Sequence, residues 1–124
     1  MNEKSPTKFQ ESPLRALFVA IAARNRPVAL RLLAQSPGLA QQAADVGASR
    51  QEAASFFFKE IAHYAYAGDT PLHMAAAAYA LPIAEHLVCK GAAVRARNRR
   101  GADPLHYASD GIPGSRMWDP DAQF

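Results

Sequence analysis

The sequence lacks several features that define common protein classes. Its 124 residues include one cysteine, Cys89, so an internal disulfide and a cysteine-rich zinc site are excluded and a cytoplasmic setting is favoured. The longest apolar stretch, Met74 to Ala84, falls well short of the ~20 residues that a membrane-spanning helix needs. Residues 1–12 contain no apolar core of a secretory signal, so we expect a disordered lead-in before a single domain over residues 13–124.

Charge of one sign is also not in large excess. Lys and Arg total 14, Asp and Glu total 11, and the formal net charge is +3, which is too small to imply a nucleic acid or membrane partner by itself. The sequence has no glycine-rich phosphate loop, nucleophile elbow or paired-carboxylate motif. We therefore predict a protein without catalytic residues, cofactor or metal that is not an enzyme.

An internal repeat is the strongest signal that the sequence does contain. Residues 68–75 (GDTPLHMA) and residues 101–108 (GADPLHYA) are identical at five of eight positions, at a separation of 33 residues. Two helical stretches, 71–80 and 82–90, lie between them and are followed by Gly91. The repeating unit is therefore predicted to be helix, turn, helix and loop.

Local chemistry predicts the same boundaries without the repeat. Ser12, Thr70 and Asp103 each carry a short side-chain oxygen and lie directly before a proline. Thr70 and Asp103 occupy the same position of the repeated motif. Such an oxygen can accept a hydrogen bond from an unpaired N–H of the first helical turn, where proline also fits. Gly91 supplies the left-handed residue that commonly ends a helix.

These residues resemble the ankyrin-repeat family, through the 33-residue period, the Thr-Pro-Leu-His tetrad and the Leu-Val-x-x-Gly-Ala close of residues 87–92. The resemblance implies an all-α ankyrin-repeat solenoid, with repeat two over 66–97 and a partial repeat three over 98–124. It also implies that the tetrad histidine bonds the tetrad threonine and a backbone carbonyl of the next loop. The motif residues are Thr70, Pro71, Leu72, His73, Gly91, Asp103, Pro104, Leu105 and His106. Tyr79 replaces the family's usual inter-helix glycine, Arg95 an asparagine and Asp103 a threonine.

The first third of the chain is predicted to be a diverged repeat one over residues 13–35. Residues 27–33 align with residues 82–88 at an offset of 55, which is one period of 33 plus 22. This alignment predicts helices over 14–24 and 27–34, followed by an insertion that adds about 22 residues to the period and lies within residues 36–65.

The insertion is predicted to contain an extra helix. Ser49 and Glu52 have the spacing of a capping box, which favours a helix from Arg50 to Ala65. Three consecutive phenylalanines on that helix cannot all pack against one neighbour. We therefore expect Phe57, Ile61 and Tyr64 to be buried, and either Phe56 or Phe58 to remain available to a partner.

The resemblance implies a binding function, as a scaffold or an inhibitor. Four arginines of residues 95–100 occupy the loop that forms a projecting finger in the family, where their guanidinium groups suit carboxylates or phosphates. A merely solvated, charged loop is the alternative interpretation. The positions expected to contact a partner are Arg95, Arg97, Arg99, Arg100, Tyr66, Asp69, Met74, Ala77, Ala78, Phe56 and Phe58. An acidic or amphipathic protein segment is the expected partner, and the alternative is an accessory role on nucleic acid.

The end of the sequence predicts an incompletely covered repeat. Residues 98–124 lack most of the second helix of repeat three, which would ordinarily cover the apolar side of repeat two. We expect a second copy of the chain, or a longer parent chain, to cover that side. The preference for alanine, and for arginine over lysine, suggests a bacterial origin.

Overall fold

The computed structural model describes residues 12–49 and 53–109 and is mostly helical. Its helices are α1 Pro13–Ala22, α2 Arg26–Gln35, α3 Pro71–Ala78, α4 Leu81–Cys89 and α5 Pro104–Ser109. Two 3-10 helices, Pro37–Gln41 and Ala54–Phe56, and two short strands, β1 Phe57–Phe58 and β2 His63–Tyr64, lie between α2 and α3. Within the described ranges, no helix combines the length and the apolar character that crossing a membrane requires.

The predicted helix starts are confirmed at the level of single hydrogen bonds. Ser12 Oγ accepts a bond from the Arg15 N–H at 3.1 Å before α1, and Asp103 Oδ1 accepts one from the His106 N–H at 3.0 Å before α5. Each bond pairs a backbone donor that has no partner inside the helix. Proline in the first turn of each helix supplies a compatible φ and lacks the N–H that would otherwise be left over.

The two helix-to-helix turns share an unusual backbone conformation. Arg24, between α1 and α2, has a φ of 56°, and Tyr79, between α3 and α4, has a φ of 52°. This is the left-handed region, which favours glycine. The two residues are 55 positions apart, the offset at which the two helix pairs were aligned. The side chain of each residue also donates a hydrogen bond to a carbonyl outside its own helix pair. Arg24 Nε donates to the Ala78 carbonyl at 2.6 Å, and Tyr79 Oη donates to the Ala108 carbonyl at 3.0 Å.

The helices pack in two layers. In one layer α3 lies between α1 and α5, and in the other α2 packs against α4, while α1 contacts α2 and α3 contacts α4. Each helix turns an apolar face into the space between these layers. The largest fully buried apolar side chains there are Leu17, Phe18, Ile21, Met74, Ile83 and Leu87.

The predicted helix over residues 50–65 is wrong in the part that the structure describes. Residues 53–65 form a 3-10 turn and an antiparallel hairpin, in which Phe57 pairs with Tyr64 and Phe58 pairs with His63. Residues 50–52, which carry part of the predicted capping box, lie outside the described residues. Aromatic residues favour strands, where successive side chains point to opposite faces. The hairpin thus directs neighbouring phenylalanine side chains to opposite faces, whereas a helix would spread the three rings over a wide part of its circumference.

The burial of the hairpin side chains therefore differs from the prediction. Phe56 and Phe58 are buried, at 1% and 4% exposure, whereas Phe57 is 41% exposed and Tyr64 38%. The Phe58 ring meets the Phe18 ring of α1 edge to face, with centroids 6.3 Å apart. Ile61 is buried, as expected. The insertion is thus anchored in the main core, and the rings that it presents outward are Phe57 and Tyr64.

The segment before the hairpin runs beside the segment after it. The Ala48 N–H donates to the Ala65 carbonyl and the Gly68 N–H to the Ala44 carbonyl, both at 2.8 Å. At Gly47, a Cβ would lie 2.4 Å from the backbone nitrogen of Ala67, so only glycine permits this close approach. These contacts fix the hairpin next to the loop that leads into α3.

One apolar face of α4 is exposed in the described structure. Val88 is 47% exposed and Leu81 41%, whereas Ala29 and Leu33, which occupy the equivalent side of α2, are buried because α4 packs against α2. Residues 110–124, where the sequence places the rest of repeat three, lie outside the described residues. The expectation that a second copy or a longer parent chain covers this face stays a prediction.

Candidate functional site

His73 ties the start of α3 to the following loop. The His73 N–H donates to Thr70 Oγ1 at 3.4 Å, and the Thr70 N–H donates to His73 Nδ1 at 3.1 Å. Because Nδ1 accepts a backbone N–H, the ring proton lies on Nε2, which donates to the Ala102 carbonyl at 2.9 Å. The imidazole is fully buried. The structural role that the resemblance implied for His73 matches these contacts.

Asp103 and His106 form the same arrangement at the start of α5, but on the surface. His106 Nδ1 lies 2.9 Å from Asp103 Oδ1, and His106 is exposed. The hydrogen bond from the His106 N–H, followed by the bond to the His106 ring, lowers the pKa of the Asp103 carboxyl below its usual value of 3.8. Aspartate thus replaces threonine here without loss of the helix cap.

Asp69 is the centre of a buried polar network. Its side chain has no exposed surface, and its carboxylate accepts bonds from Asn98 Nδ2 at 2.8 Å, the Tyr66 N–H at 2.9 Å and Tyr107 Oη at 2.9 Å. Burial raises the pKa of the Asp69 carboxyl above its usual value, although these hydrogen bonds and His73 oppose the shift. The network joins the loop before α3 to helix α5.

Asn98 connects this network to the turn at residues 98–102. Its Nδ2 also donates to Tyr107 Oη at 2.7 Å, while its Oδ1 accepts the N–H groups of Arg100 and Ala102, each at 2.9 Å. Burial, and then the neighbouring Asp69, raises the pKa of the Tyr107 phenol. One buried amide thus holds the turn at residues 98–102 against both Asp69 and Tyr107.

The raised pKa of Asp69 predicts a specific dependence of stability on pH. The folded protein binds the Asp69 proton more tightly than the unfolded chain does, so this carboxyl favours folding fully below pH 3.8 and progressively less as the pH rises toward its folded value. The free energy of unfolding of the wild type, minus that of Asp69→Asn, should therefore fall as the pH rises from 3.8 toward the raised pKa of the folded protein. Urea denaturation at several pH values measures this difference, and a constant or rising difference would contradict the assignment.

The arginine finger, residues 95–100, lies beside this network. All four of its arginines are exposed. The Arg99 N–H donates to the Ala67 carbonyl at 2.7 Å, and the Arg100 guanidinium lies over the Tyr66 ring, 4.8 Å from its centroid, at the distance of a cation–π contact. The base of the finger is therefore fixed to the loop before α3, while its guanidinium groups face solvent.

A groove separates the finger from the hairpin and contains two open cavities. The first, the tyrosine cavity, has a volume of about 410 Å³. Its walls include His63, Tyr64, Tyr66, Asn98, Arg100 and Tyr107. The second, the alanine cavity, has a volume of about 660 Å³. Its walls include Ala48, Ala53, Ala67 and Arg99, and it shares Tyr64, Tyr66 and Arg100 with the first.

Some residues predicted to contact a partner lie at this groove and others do not. Tyr66 and the finger arginines are accessible, and Tyr66, Arg99 and Arg100 line the cavities. The remaining predicted positions are buried in this structure, so they do not form part of its accessible surface, and their role as contact residues stays a prediction: Asp69, Met74, Ala77, Ala78, Phe56 and Phe58. Asp69 is occupied by the polar network, and the others pack in the core formed by α1, α3 and the hairpin.

Several residues of the groove could not be identified from the sequence, among them the aromatic residues His63, Tyr64 and Tyr107. The sequence favours a helix at His63 and Tyr64, whereas the structure places both residues on the second strand of the hairpin. Tyr107 occupies the repeat position of Met74, and nothing in the sequence indicates its place in the cavity wall or its bond to Asp69. Among the described residues, no group of three His, Cys, Asp or Glu side chains is arranged to hold a metal ion.

Comparison with known families agrees with the repeat seen in the sequence. Residues 67–99, which span α3, α4 and most of the finger, match the family model of the ankyrin repeat. These residues therefore correspond to one ankyrin repeat. Ankyrin repeats generally mediate protein–protein interactions and are typically not catalytic. A comparison with curated proteins gave no match.

Proposed function

We propose that this chain is a non-catalytic interaction module that binds a protein partner, as a scaffold or an inhibitor, through the arginine finger and the adjacent groove. The proposal treats α1–α2, α3–α4 and α5 as successive units of one ankyrin solenoid in the cytoplasm. Support for the solenoid comes from the matched left-handed turns at Arg24 and Tyr79 and from the contacts between successive helix pairs.

The observation that carries the binding proposal is the charge of the groove. Arg95, Arg97, Arg99 and Arg100 are exposed, and neither cavity is lined by a carboxylate among the described residues. Asp69, which lies close by, is buried and already accepts several hydrogen bonds. Asp103, whose pKa Arg97 helps to lower, offsets part of the charge of the finger. An acidic partner segment would still meet the positive charge of Arg99 and Arg100 at the cavities, which favours both its approach and its orientation.

A second candidate is an accessory role on nucleic acid, in which the same four arginines bind phosphates. This role would make binding fall steeply with salt, because each neutralised phosphate releases counterions. The basic patch is, however, confined to one short loop of a chain whose formal net charge is +3. Nucleic acid binding usually uses a broader basic face, so a protein partner is favoured.

The test is capture from the native lysate with two charge-matched triple variants, at low and high salt. One variant changes Arg97, Arg99 and Arg100 to Glu, and the control changes the exposed Arg26, Arg31 and Lys90 to Glu. We expect the wild type and the control to retain one discrete protein, and the finger variant to lose it by about tenfold or more, as several interface charges are reversed.

Two results would contradict the proposal. Recovery of nucleic acid, released both by salt and by the finger variant, would favour the accessory role. Equal capture of the same protein by the finger variant and the control would move the interaction away from the finger and groove. Circular dichroism of the three proteins checks that each variant remains folded.

A further inference from the structure

We infer that the tyrosine cavity is the specificity subsite of the groove, and that it takes an aromatic side chain of the partner that is flanked by acidic residues. This inference rests on the proposed function, because it names the kind of segment that the same surface recognises. It depends on three features of the cavity: its aromatic walls, its single guanidinium group and the hydrogen bonds that Asn98 and Tyr107 already make within the protein.

The aromatic walls come from three different parts of the chain. The hairpin contributes His63 and Tyr64, and the Tyr107 ring of α5 lies with its centroid 4.4 Å from that of His63. Tyr66 closes the side toward the finger, with its ring centroid 6.5 Å from that of Tyr64. Rings at these separations offer both faces and edges to an incoming ring. A volume of about 410 Å³ is within the usual range of ligand pockets and is ample for one aromatic side chain.

The hairpin is what makes this cavity particular to the chain. Residues 53–65 lie outside the segment that matches the ankyrin family model, residues 67–99. Phe56 and Phe58 anchor the hairpin in the core, and its outward residue Tyr64 borders both cavities. The insertion thus supplies His63 and Tyr64 to the cavity, and the later part of the chain supplies Tyr66, Arg100 and Tyr107.

The polar atoms deep in the cavity are committed to one another. Asn98 uses its amide nitrogen on Asp69 and Tyr107, and its oxygen on two backbone N–H groups. The Tyr107 hydroxyl donates to the Asp69 carboxylate at 2.9 Å. These groups therefore shape the cavity, but they offer little hydrogen bonding to a ligand. A ligand that relied on Asn98 or Tyr107 for hydrogen bonds would leave its own buried polar groups unpaired, which costs binding free energy.

The charge at the mouth comes from Arg100. Its guanidinium stacks on Tyr66, a geometry that leaves the N–H edge of a planar guanidinium able to bind a carboxylate in a bidentate manner. Arg99 lines the neighbouring alanine cavity, so a second acidic residue would find a partner on the other side of Tyr66. The surface therefore fits an aromatic residue between acidic residues, which is the chemistry of an acidic peptide with one aromatic anchor.

The test uses peptides of defined composition, with labelled peptides of about ten residues measured by fluorescence anisotropy. The first contains Glu and Ser around one central Trp. The second replaces Trp by Ala, the third replaces every Glu by Gln, and a single-stranded oligo-dT of similar length represents nucleic acid. We expect the first peptide to bind the wild type at least about tenfold more tightly than either altered peptide, the size of effect typical of a buried aromatic anchor.

Two matched variants on the hairpin locate the subsite. Tyr64→Ser removes an aromatic wall. Phe57→Ser removes a ring of similar exposure that packs against Tyr64, with centroids 4.8 Å apart, but lines neither cavity. We expect Tyr64→Ser to abolish the preference for Trp over Ala while Phe57→Ser retains it. Both positions are exposed, so the variants should remain folded, and circular dichroism checks this.

Several outcomes would overturn the inference. They are equal binding of the Trp and Ala peptides, equal binding of the Glu and Gln peptides, a Trp preference that survives Tyr64→Ser, tighter binding of oligo-dT, or no binding of any peptide. Loss of the Trp preference alone overturns the subsite and leaves the proposed interaction surface standing. Failure of the charge-matched capture experiment, in contrast, overturns the proposed function itself.

Discussion

Replacing Phe56 by alanine should lower the free energy of unfolding by about 3–5 kcal/mol, the usual cost of truncating a buried phenylalanine. Phe56 is 1% exposed and lies in the 3-10 turn just before the hairpin. Its removal would leave a cavity where the hairpin meets the core. The adjacent Phe57, at 41% exposure, is the matched control, and Phe57→Ala should cost less than about 1 kcal/mol.

Urea denaturation followed by circular dichroism measures both variants. The pair is informative because the sequence alone favoured the opposite result, with Phe57 buried and Phe56 or Phe58 available to a partner. A larger loss for Phe57→Ala than for Phe56→Ala would contradict the hairpin and favour the helical insertion. Similar small losses would show that the insertion is not part of the core.

Asn98→Ala should lower the free energy of unfolding by about 3 kcal/mol or more, because it breaks bonds to a buried carboxylate and leaves that group under-satisfied. The buried Asn98 side chain donates to Asp69 and to Tyr107 and accepts two backbone N–H groups. Alanine would remove all four bonds. The turn that carries the arginine finger should loosen at the same time.

The control for this variant is Asn25→Ala. Asn25 is exposed, and it makes one cap bond to the Val28 N–H at 3.3 Å, so its loss should cost about 1 kcal/mol or less. Urea denaturation compares the two variants, and amide hydrogen exchange at Arg100 and Ala102 reports the loosened turn. Equal effects of the two variants on stability, with unchanged exchange at Arg100 and Ala102, would contradict the role assigned to the network.

The helices could be predicted from the sequence because their signals are local. Short oxygen-bearing residues before proline mark the starts of α1, α3 and α5, and the observed helices begin within one or two residues of the predicted ones. The offset of 55 residues also carried over to the structure, where Arg24 and Tyr79 share a left-handed backbone. Periodicity and capping depend on neighbours in sequence, so one sequence is sufficient to read them.

The candidate site could be predicted only in part, because it depends on contacts between distant residues. The finger arginines were identified from their clustering alone. Asp69 reads as an exposed loop residue until Asn98 and Tyr107, 29 and 38 positions away, are placed beside it. The run of three phenylalanines is compatible with a helix or a strand, and the core under the insertion decides between them.

The two left-handed residues between the helix pairs also affect how the chain unfolds. Glycine at Arg24 or Tyr79 would relieve backbone strain inside one helix pair, but it would remove the hydrogen bond that the side chain makes to a carbonyl outside that pair. In stacked repeat proteins, the free energy of unfolding is the sum of the stability of each repeat and the stability of each interface between neighbouring repeats. The interfaces determine how cooperatively the repeats unfold. Arg24 and Tyr79 thus weaken the stability within each helix pair and strengthen the contacts between neighbouring pairs. This favours unfolding of the helix pairs together rather than one at a time.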